Sequence, residues 1–334
     1  MKLRNMMITL AGLGLITTGC GTSGSNGEPA EEVRIGYFPN LTHISTIIAL
    51  ENGYFEEELG EDITIDTRTF PDGGVFMEAM GTDAIDVGTV GPTPVINNYI
   101  KNPTFEIIAG AVNGGAVLEV RNDAGIDSVE DLDGKRVAIP TIGSTQDIML
   151  MKELQDHGMD VNSSGGTVNT VPQAPADTAA LFLGNDVDAA ATQEPWGINL
   201  ETHADAKLLL GPEEFAWGED STNTVLAARQ DFTEENPELT QAILSAYVRA
   251  VDFINENPDE AIDLFINHIQ EITGKELTRD EIEQALERTF PTYEINEDIL
   301  TEMASIIKEA GYSTSDDIDG LINLDYLQEV LNEQ

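Results

Sequence analysis

The run Gly143-Ser144-Thr145-Gln146-Asp147 carries the most specific chemistry in this chain of 334 residues. It follows the strand-like segment 136–140 and opens a helical segment over 145–157. Ser144 or Thr145 is placed to cap that helix, because a short hydroxyl side chain accepts a bond from a first-turn N–H. The remaining free N–H groups and the positive end of the helix dipole then form a seat for an anion. The cap by itself is structural, and the seat is the functional expectation. Other polar groups stand where strands should end. They are Pro39-Asn40-Leu41-Thr42-His43, Thr89-Val90-Gly91-Pro92-Thr93-Pro94 and Thr192-Gln193-Glu194-Pro195-Trp196. In Asn113-Gly114-Gly115-Ala116 the two glycines permit close backbone approach, or else mark a plain turn. Trp196 reads equally as an aromatic wall or as a core residue.

Catalytic arrangements are missing. There is no Gly-x-Ser-x-Gly elbow and no Gly-x-x-x-x-Gly-Lys phosphate loop. The histidines are His43, His157, His203 and His268, and no two have metal-ligand spacing. The many carboxylates single out no catalytic pair. The expectation is therefore that the chain is not an enzyme, with no cofactor and no metal.

The elements that must hold these groups alternate. Strands are expected at 33–37, 62–70, 85–88, 105–112, 115–121, 136–140, 167–171, 188–191, 206–210 and 223–229. Helices are expected at 43–53, 74–81, 92–100, 145–157, 176–184 and 195–203. Such alternation predicts parallel sheets covered on both faces. After 230 the pattern turns helical, with segments at 237–256, 258–269, 279–289, 296–310 and 322–332 punctuated by Pro237, Pro258 and Gly311. One internal echo joins the two halves of the α/β region. Gly81, Asp83, Asp86 and Thr89 lead to a Pro-containing helix start at Pro92. Gly184, Asp186, Asp188 and Thr192 lead to Pro195-Trp196. Each unit would set a polar loop at the C-terminal end of a strand, where ligands bind in open α/β sheets.

The N-terminus is a separate signal. Lys2 and Arg4 precede a short apolar stretch over 6–16, followed by Thr17-Thr18-Gly19 and Cys20, the sole cysteine. A basic start, an apolar core and small residues make an export signal. The core is too short to span a membrane, which takes about 20 residues. Cys20 at that place resembles the lipobox of bacterial lipoproteins, although Thr17 stands where that pattern prefers Leu, Val or Ile. The resemblance implies removal of residues 1–19 and a lipid on Cys20, with 20–32 as a flexible tether rich in small polar residues. One thiol excludes internal disulfides. The rest of the chain suits two domains.

The charge is extreme. There are 61 acidic against 16 basic residues, a formal net charge of −45. Loss of Lys2 and Arg4 takes it to −47. No basic stripe exists, so a nucleic-acid partner is excluded. A field of this size is self-repulsive unless salt screens it, which suggests a saline habitat and a halophilic acidic surface.

With these residues in view, the chain resembles the substrate-binding lipoproteins of ABC importers, in the aliphatic sulfonate, taurine and nitrate group. The likeness is carried by Ile35-Gly36-Tyr37-Phe38-Pro39-Asn40-Leu41-Thr42-His43, Val90-Gly91-Pro92-Thr93-Pro94, Gly114-Gly115-Ala116-Val117-Leu118, Ile142-Gly143-Ser144-Thr145-Gln146-Asp147 and Glu194-Pro195-Trp196, in order between Val33 and Arg229. It implies an α/β, type II periplasmic binding protein fold, with two α/β lobes joined by two crossing strands and a C-terminal helical block. The crossing segments would be 116–122 and 222–229. Lobe one would be 33–118 plus 226–334, and lobe two 119–225. The ligand would be a small oxyanion, an aliphatic sulfonate or taurine; nitrate and a thiamine-pyrimidine precursor are the alternatives, and an exported enzyme on the same fold is a further one. The expected ligand-binding residues are Asn40, His43, Thr93, Gly114, Gly115, Ser144, Thr145, Gln146, Glu194 and Trp196. The implied partners are an ABC permease and, through the lipid, the membrane. The protein would be an extracytoplasmic, membrane-anchored monomer.

Two predictions follow from the sequence alone. Cys20→Ala should move the protein from the membrane fraction to the soluble fraction, because the lipid is the anchor; equal membrane retention of the variant refutes the lipoprotein reading. The melting temperature should rise between low salt and about 1 M NaCl, where the Debye length falls to roughly 3 Å; a flat or falling curve removes the halophilic explanation.

Overall fold

A computed structural model describes residues 30–333. The expected leader, Cys20 and most of the tether lie outside the described residues. In chain order the elements are β1 (Glu32–Tyr37), α1 (Ile44–Glu51), α2 (Tyr54–Leu59), β2 (Thr64–Thr69), α3 (Gly73–Gly81), β3 (Val87–Val90), α4 (Pro92–Lys101), β4 (Phe105–Gly114), β5 (Ala116–Arg121) and β6 (Arg136–Ile139). Then come α5 (Thr145–Asp156), β7 (Asn169–Pro172), α6 (Thr178–Leu183), β8 (Ala189–Gln193), α7 (Trp196–His203), β9 (Ala206–Leu210) and β10 (Thr222–Arg229). The helical block is α8 (Gln230–Glu235), α9 (Pro237–Glu256), α10 (Pro258–Thr273), α11 (Arg279–Glu287), α12 (Glu297–Glu309) and α13 (Asp325–Glu333), interrupted by β11 (Thr289–Pro291).

The strands form two sheets, ordered β11-β4-β10-β3-β1-β2 and β7-β6-β8-β5-β9. The expected parallel order holds for β2, β1 and β3 and again for β7, β6 and β8. Around them β10, β4 and β11, and likewise β8, β5 and β9, pair antiparallel, so both sheets are mixed. The reason is the route of the chain. It leaves sheet one after β4, builds sheet two from β5 to β9, and returns with β10 inserted between β3 and β4.

The passages between sheets differ from the expected segments. Both 116–122 and 222–229 run as strands within a single sheet, and the crossings precede them at Gly114–Gly115 and at 211–221. Gly114 and Gly115 have φ of 62° and 69°, where a side chain is strained. A Cβ on Gly114 would also stand 2.6 Å from the Phe290 ring. Three elements were not foreseen: α2, α8 and β11. The helix expected to reach 289 stops at Glu287, and Thr289–Pro291 then pairs along the outer edge of β4. Pro291 is tolerated there because an edge strand does not need its N–H.

The sequence echo has a structural counterpart. Arg34 at β1 donates to both oxygens of Asp86, ahead of β3, and to the Asp83 carbonyl. Arg136 at β6 donates to both oxygens of Asp188, ahead of β8, and to the Asn185 carbonyl. The separation is 52 residues in both, and Asp83 and Asn185 share a left-handed φ of 58° and 57°. Asp83 thus corresponds to Asn185, one residue from the match with Asp186 that the sequence suggested.

Apolar packing covers the sheets. Ile35 and Val87 pack with Ile44, Ile47, Tyr247 and Phe265 from α1, α9 and α10 on one face of sheet one. On the other face a core of Phe76, Val95 and Ile96 runs on through Leu300 and Met303 of α12 into Ile148, Leu150 and Phe215 of the second lobe. Phe182, Val187 and Leu200 close the outer side of sheet two. No helix of the described residues is long and apolar enough to cross a membrane.

Candidate functional site

Strand ends of both sheets meet around a cavity of about 70 Å³. A water needs roughly 10–15 Å³ of such space, so the cavity takes a solute of only a few heavy atoms. From sheet one come Phe38, Asn40, Thr42 and His43 after β1, Asp72 and Gly73 at the start of α3, and Gly91 and Pro94 after β3. From sheet two come Pro140, Thr141, Ser144, Thr145 and Gln146, with Gln193 at the end of β8. Asn223 and Thr224 enter from β10.

The start of α5 is built as expected. Ser144 is the N-cap, its Oγ accepting from the Asp147 N–H at 3.3 Å. The N–H groups of Thr145 and Gln146 have no intrahelical carbonyl to reach. Thr145 Oγ1 is buried and has no hydrogen-bond partner, although the cost of leaving such a group unpaired is about 1–3 kcal/mol. Gly91 allows the opposite loop to reach this hydroxyl, since a Cβ there would lie 2.3 Å from it. Gln146 Nε2 donates to Asn223 Oδ1 at 2.8 Å, and Asn223 Nδ2 donates to the Gly114 carbonyl at 2.8 Å. That carbonyl fixes both amide orientations.

The lining holds no Lys or Arg. His43 Nδ1 bonds Thr89 Oγ1 at 2.9 Å, and burial pushes its pKa down to about 3, so the ring is neutral at pH 7. Asp72 is the one carboxylate of the lining, and its Oδ1 caps α3 through the Gly74 and Val75 N–H groups. The groups that the cavity offers are neutral donors and a helix start.

Five expected residues line the cavity: Asn40, His43, Ser144, Thr145 and Gln146. The other five do not, and each has a different job. Thr93 Oγ1 donates to the Gly143 carbonyl across the lobes at 2.9 Å. Gly114 and Gly115 form the first crossing. Trp196 is buried, donates from Nε1 to Asn40 Oδ1 at 2.7 Å, and has the Lys275 ammonium 5.0 Å over its ring. It orients Asn40 from behind.

Glu194 is fully buried in a cluster with Glu119, Glu201 and Arg288. Arg288 Nη1 lies 2.9 Å from Glu194, 2.7 Å from Glu201 and 3.9 Å from Glu119. One guanidinium faces three carboxyl groups. Burial, then the charges of Glu201 and Glu194, push Glu119 up to about 9. Burial also raises Glu194, to about 7, against the pull of Arg288.

Of the residues not singled out, Gln193 lay inside a quoted motif and Asp72 inside a Pro-Asp-Gly-Gly turn. Asn223 and Thr224 gave no sequence signal, because only the irregular register of β10 on β4, shifted between Thr222 and Thr224, brings both neighbours to the cavity. Among the described residues no group of His, Cys, Asp and Glu is arranged to hold a metal.

The family model of the NMT1-like family matches residues 26–267. A Bacillus subtilis (strain 168) protein named as a candidate aliphatic sulfonates-binding protein is 28% identical over 300 residues, covering 87% of this chain and 85% of that one. The taurine-binding periplasmic protein of Escherichia coli (strain K12) is 28% identical over 215 residues, 64% of this chain and 63% of that one. Among solved structures, the alkanesulfonate-binding protein SsuA from Xanthomonas axonopodis pv. citri, bound to MOPS, matches with a TM-score of 0.74 at 18% identity, covering 89% of this chain and 99% of that one. This last likeness is one of fold.

The carboxyl cluster gives a pH prediction. Glu119 and Glu194 hold protons in the folded state that the unfolded chain releases at its lower pKa, so their contribution is present at acid pH and lost as pH rises toward about 9. Glu119→Gln should shrink the fall in melting temperature between pH 5 and pH 9 (roughly the span from the unfolded to the folded pKa). An unchanged slope would mean that Glu119 is ionised throughout.

Proposed function

Since the chain belongs to the NMT1-like family, we propose that it is an extracytoplasmic solute-binding protein that captures a small oxyanion, an aliphatic sulfonate or taurine, and delivers it to the permease of an ABC importer. The observation that carries this reading is the buried, unpartnered Thr145 hydroxyl at the open start of α5, inside a cavity between two lobes. A sulfonate oxygen would accept from that hydroxyl, from Ser144 Oγ and from the first-turn N–H groups. The relatives named for sulfonate and taurine binding agree with it. Binding without turnover is part of the proposal, as are a lipid on Cys20, a monomeric state and an acidic surface suited to salt.

The magnitudes are adequate. Hydrogen bonds to a charged group contribute about 1.5–3 kcal/mol each. A dissociation constant near 1 μM needs about −8.2 kcal/mol. Four such donors at the α5 start supply about 6–12 kcal/mol, and the other cavity groups must add to them once association and ordering cost about 4 kcal/mol or more. The lobes are taken to follow the sheets, with boundaries at Gly115 and within 211–221, and to close by hinge motion over the ligand.

A second reading, a neutral pyrimidine precursor, draws support from the lack of any cation in the lining and from Asp72 at its edge. Calorimetry with taurine, short alkanesulfonates, nitrate and a neutral pyrimidine separates the two. Sulfonate binding should weaken by about ten- to a hundred-fold in Thr145→Ala, the loss of about 1–3 kcal/mol. Selective binding of the pyrimidine overturns the anion assignment, and unchanged sulfonate affinity in the variant moves the site away from α5.

A further inference from the structure

The turn that precedes α5 is held from the opposite lobe at two points. Thr93 Oγ1, fully buried on α4, donates to the Gly143 carbonyl at 2.9 Å. The Tyr312 hydroxyl donates to Asp147 Oδ2 at 3.0 Å. That same oxygen accepts the Gly143 N–H at 2.8 Å. Asp147 is fully buried, and its other oxygen has no partner. The carboxylate therefore depends on these two donors, one from its own turn and one from across the cleft.

Tyr312 follows α12, and α12 belongs to sheet one at both ends. Before it, β11 pairs with β4. After it, Leu321 accepts from the Ile107 N–H at 2.8 Å and Ile322 bridges Ile107. Yet the helix packs on α5 as well as on α4. Glu302 accepts from Trp217 Nε1 at 2.6 Å, within the second crossing, and lies 3.7 Å from Lys152 Nζ on α5. The helix is an arm of the first lobe laid over the second. Hinge opening at Gly114–Gly115 and 211–221 would draw Tyr312 and Thr93 away from Asp147 and Gly143.

We propose that Tyr312 and Thr93 form a two-point clasp on the Gly143 turn, so that the groups which seat the ligand on α5 are fixed only when the lobes close. Both are positioning residues: they touch the turn and not the ligand. The proposal rests on the α5 seat described above. Its consequence is kinetic. Entry to an open cleft does not use the clasp, whereas release must break it.

The two tryptophans of the chain report closure, since Trp196 donates to Asn40 across the lobes and Trp217, in the second crossing, donates to Glu302 of α12. Stopped-flow tryptophan fluorescence with taurine and ethanesulfonate as probes should show faster release in Tyr312→Phe, by about tenfold, the effect of one lost bond to a carboxylate. The association rate should stay the same, and the ligand-free melting temperature should fall by less than the ligand-bound one. Thr93→Val should act in the same direction. An unchanged release rate overturns the clasp, and so does an equal fall of both melting temperatures, which marks a merely structural bond. If the wild type binds neither probe, the ligand assignment fails, and small-angle scattering of the ligand-free proteins judges the clasp instead. Tyr312→Phe should then be more open than wild type, and identical scattering curves reject the proposal.

Discussion

The carbonyl of Gly114 is where the first crossing between the sheets and the cavity wall meet. It ends β4, the last strand laid in sheet one before the chain crosses. It accepts from Asn223, which accepts from Gln146 on the first turn of α5. A movement of the hinge is thus a movement of the cavity wall. The crossing can be this tight only because two consecutive glycines take left-handed φ beside Phe290 and Thr42. A side chain there would push the sheets apart and undo the relay.

The lobes are two versions of one design. In each, a bidentate guanidinium–carboxylate pair ties the first strand to the segment before the next, at the ends remote from the cleft. The pair fixes strand register at the ends away from the cavity, and so aims the opposite strand ends at it. The designs diverge at those ends. After β1 comes His43, neutral and bonded to Thr89. After β6 comes a capped helix with an unpaired hydroxyl. One side supplies shape and the other supplies donors.

Charge is distributed with the same division. The chain is strongly acidic overall, yet the cavity lining carries one carboxylate and no cation. Distant surface charge acts through solvent and is screened within roughly a Debye length. Donors at the start of α5 act at contact, in a buried setting where each bond counts for more. Two of the buried carboxyl groups, Glu119 and Glu194, sit by the first crossing around Arg288, where burial favours their protonated forms.

The sequence by itself determined what is local. Most strand and helix positions followed from periodicity and from Pro and Gly punctuation, and the cap of α5 could be narrowed to Ser144 or Thr145 because a cap bond spans only two or three residues. Tertiary structure alone decided what depends on register and on chain crossing. It placed Asn223 in the cavity at the register shift of β10 on β4, and it took Glu194 and Trp196 out of the cavity into contacts with Arg288 and Asn40. It set the crossings at Gly114–Gly115 and 211–221, and it brought Tyr312 onto Asp147, 165 residues away. Local bonds are written in neighbouring residues, whereas these partners are chosen by how two sheets and a returning helical block pack, which no short stretch of sequence encodes.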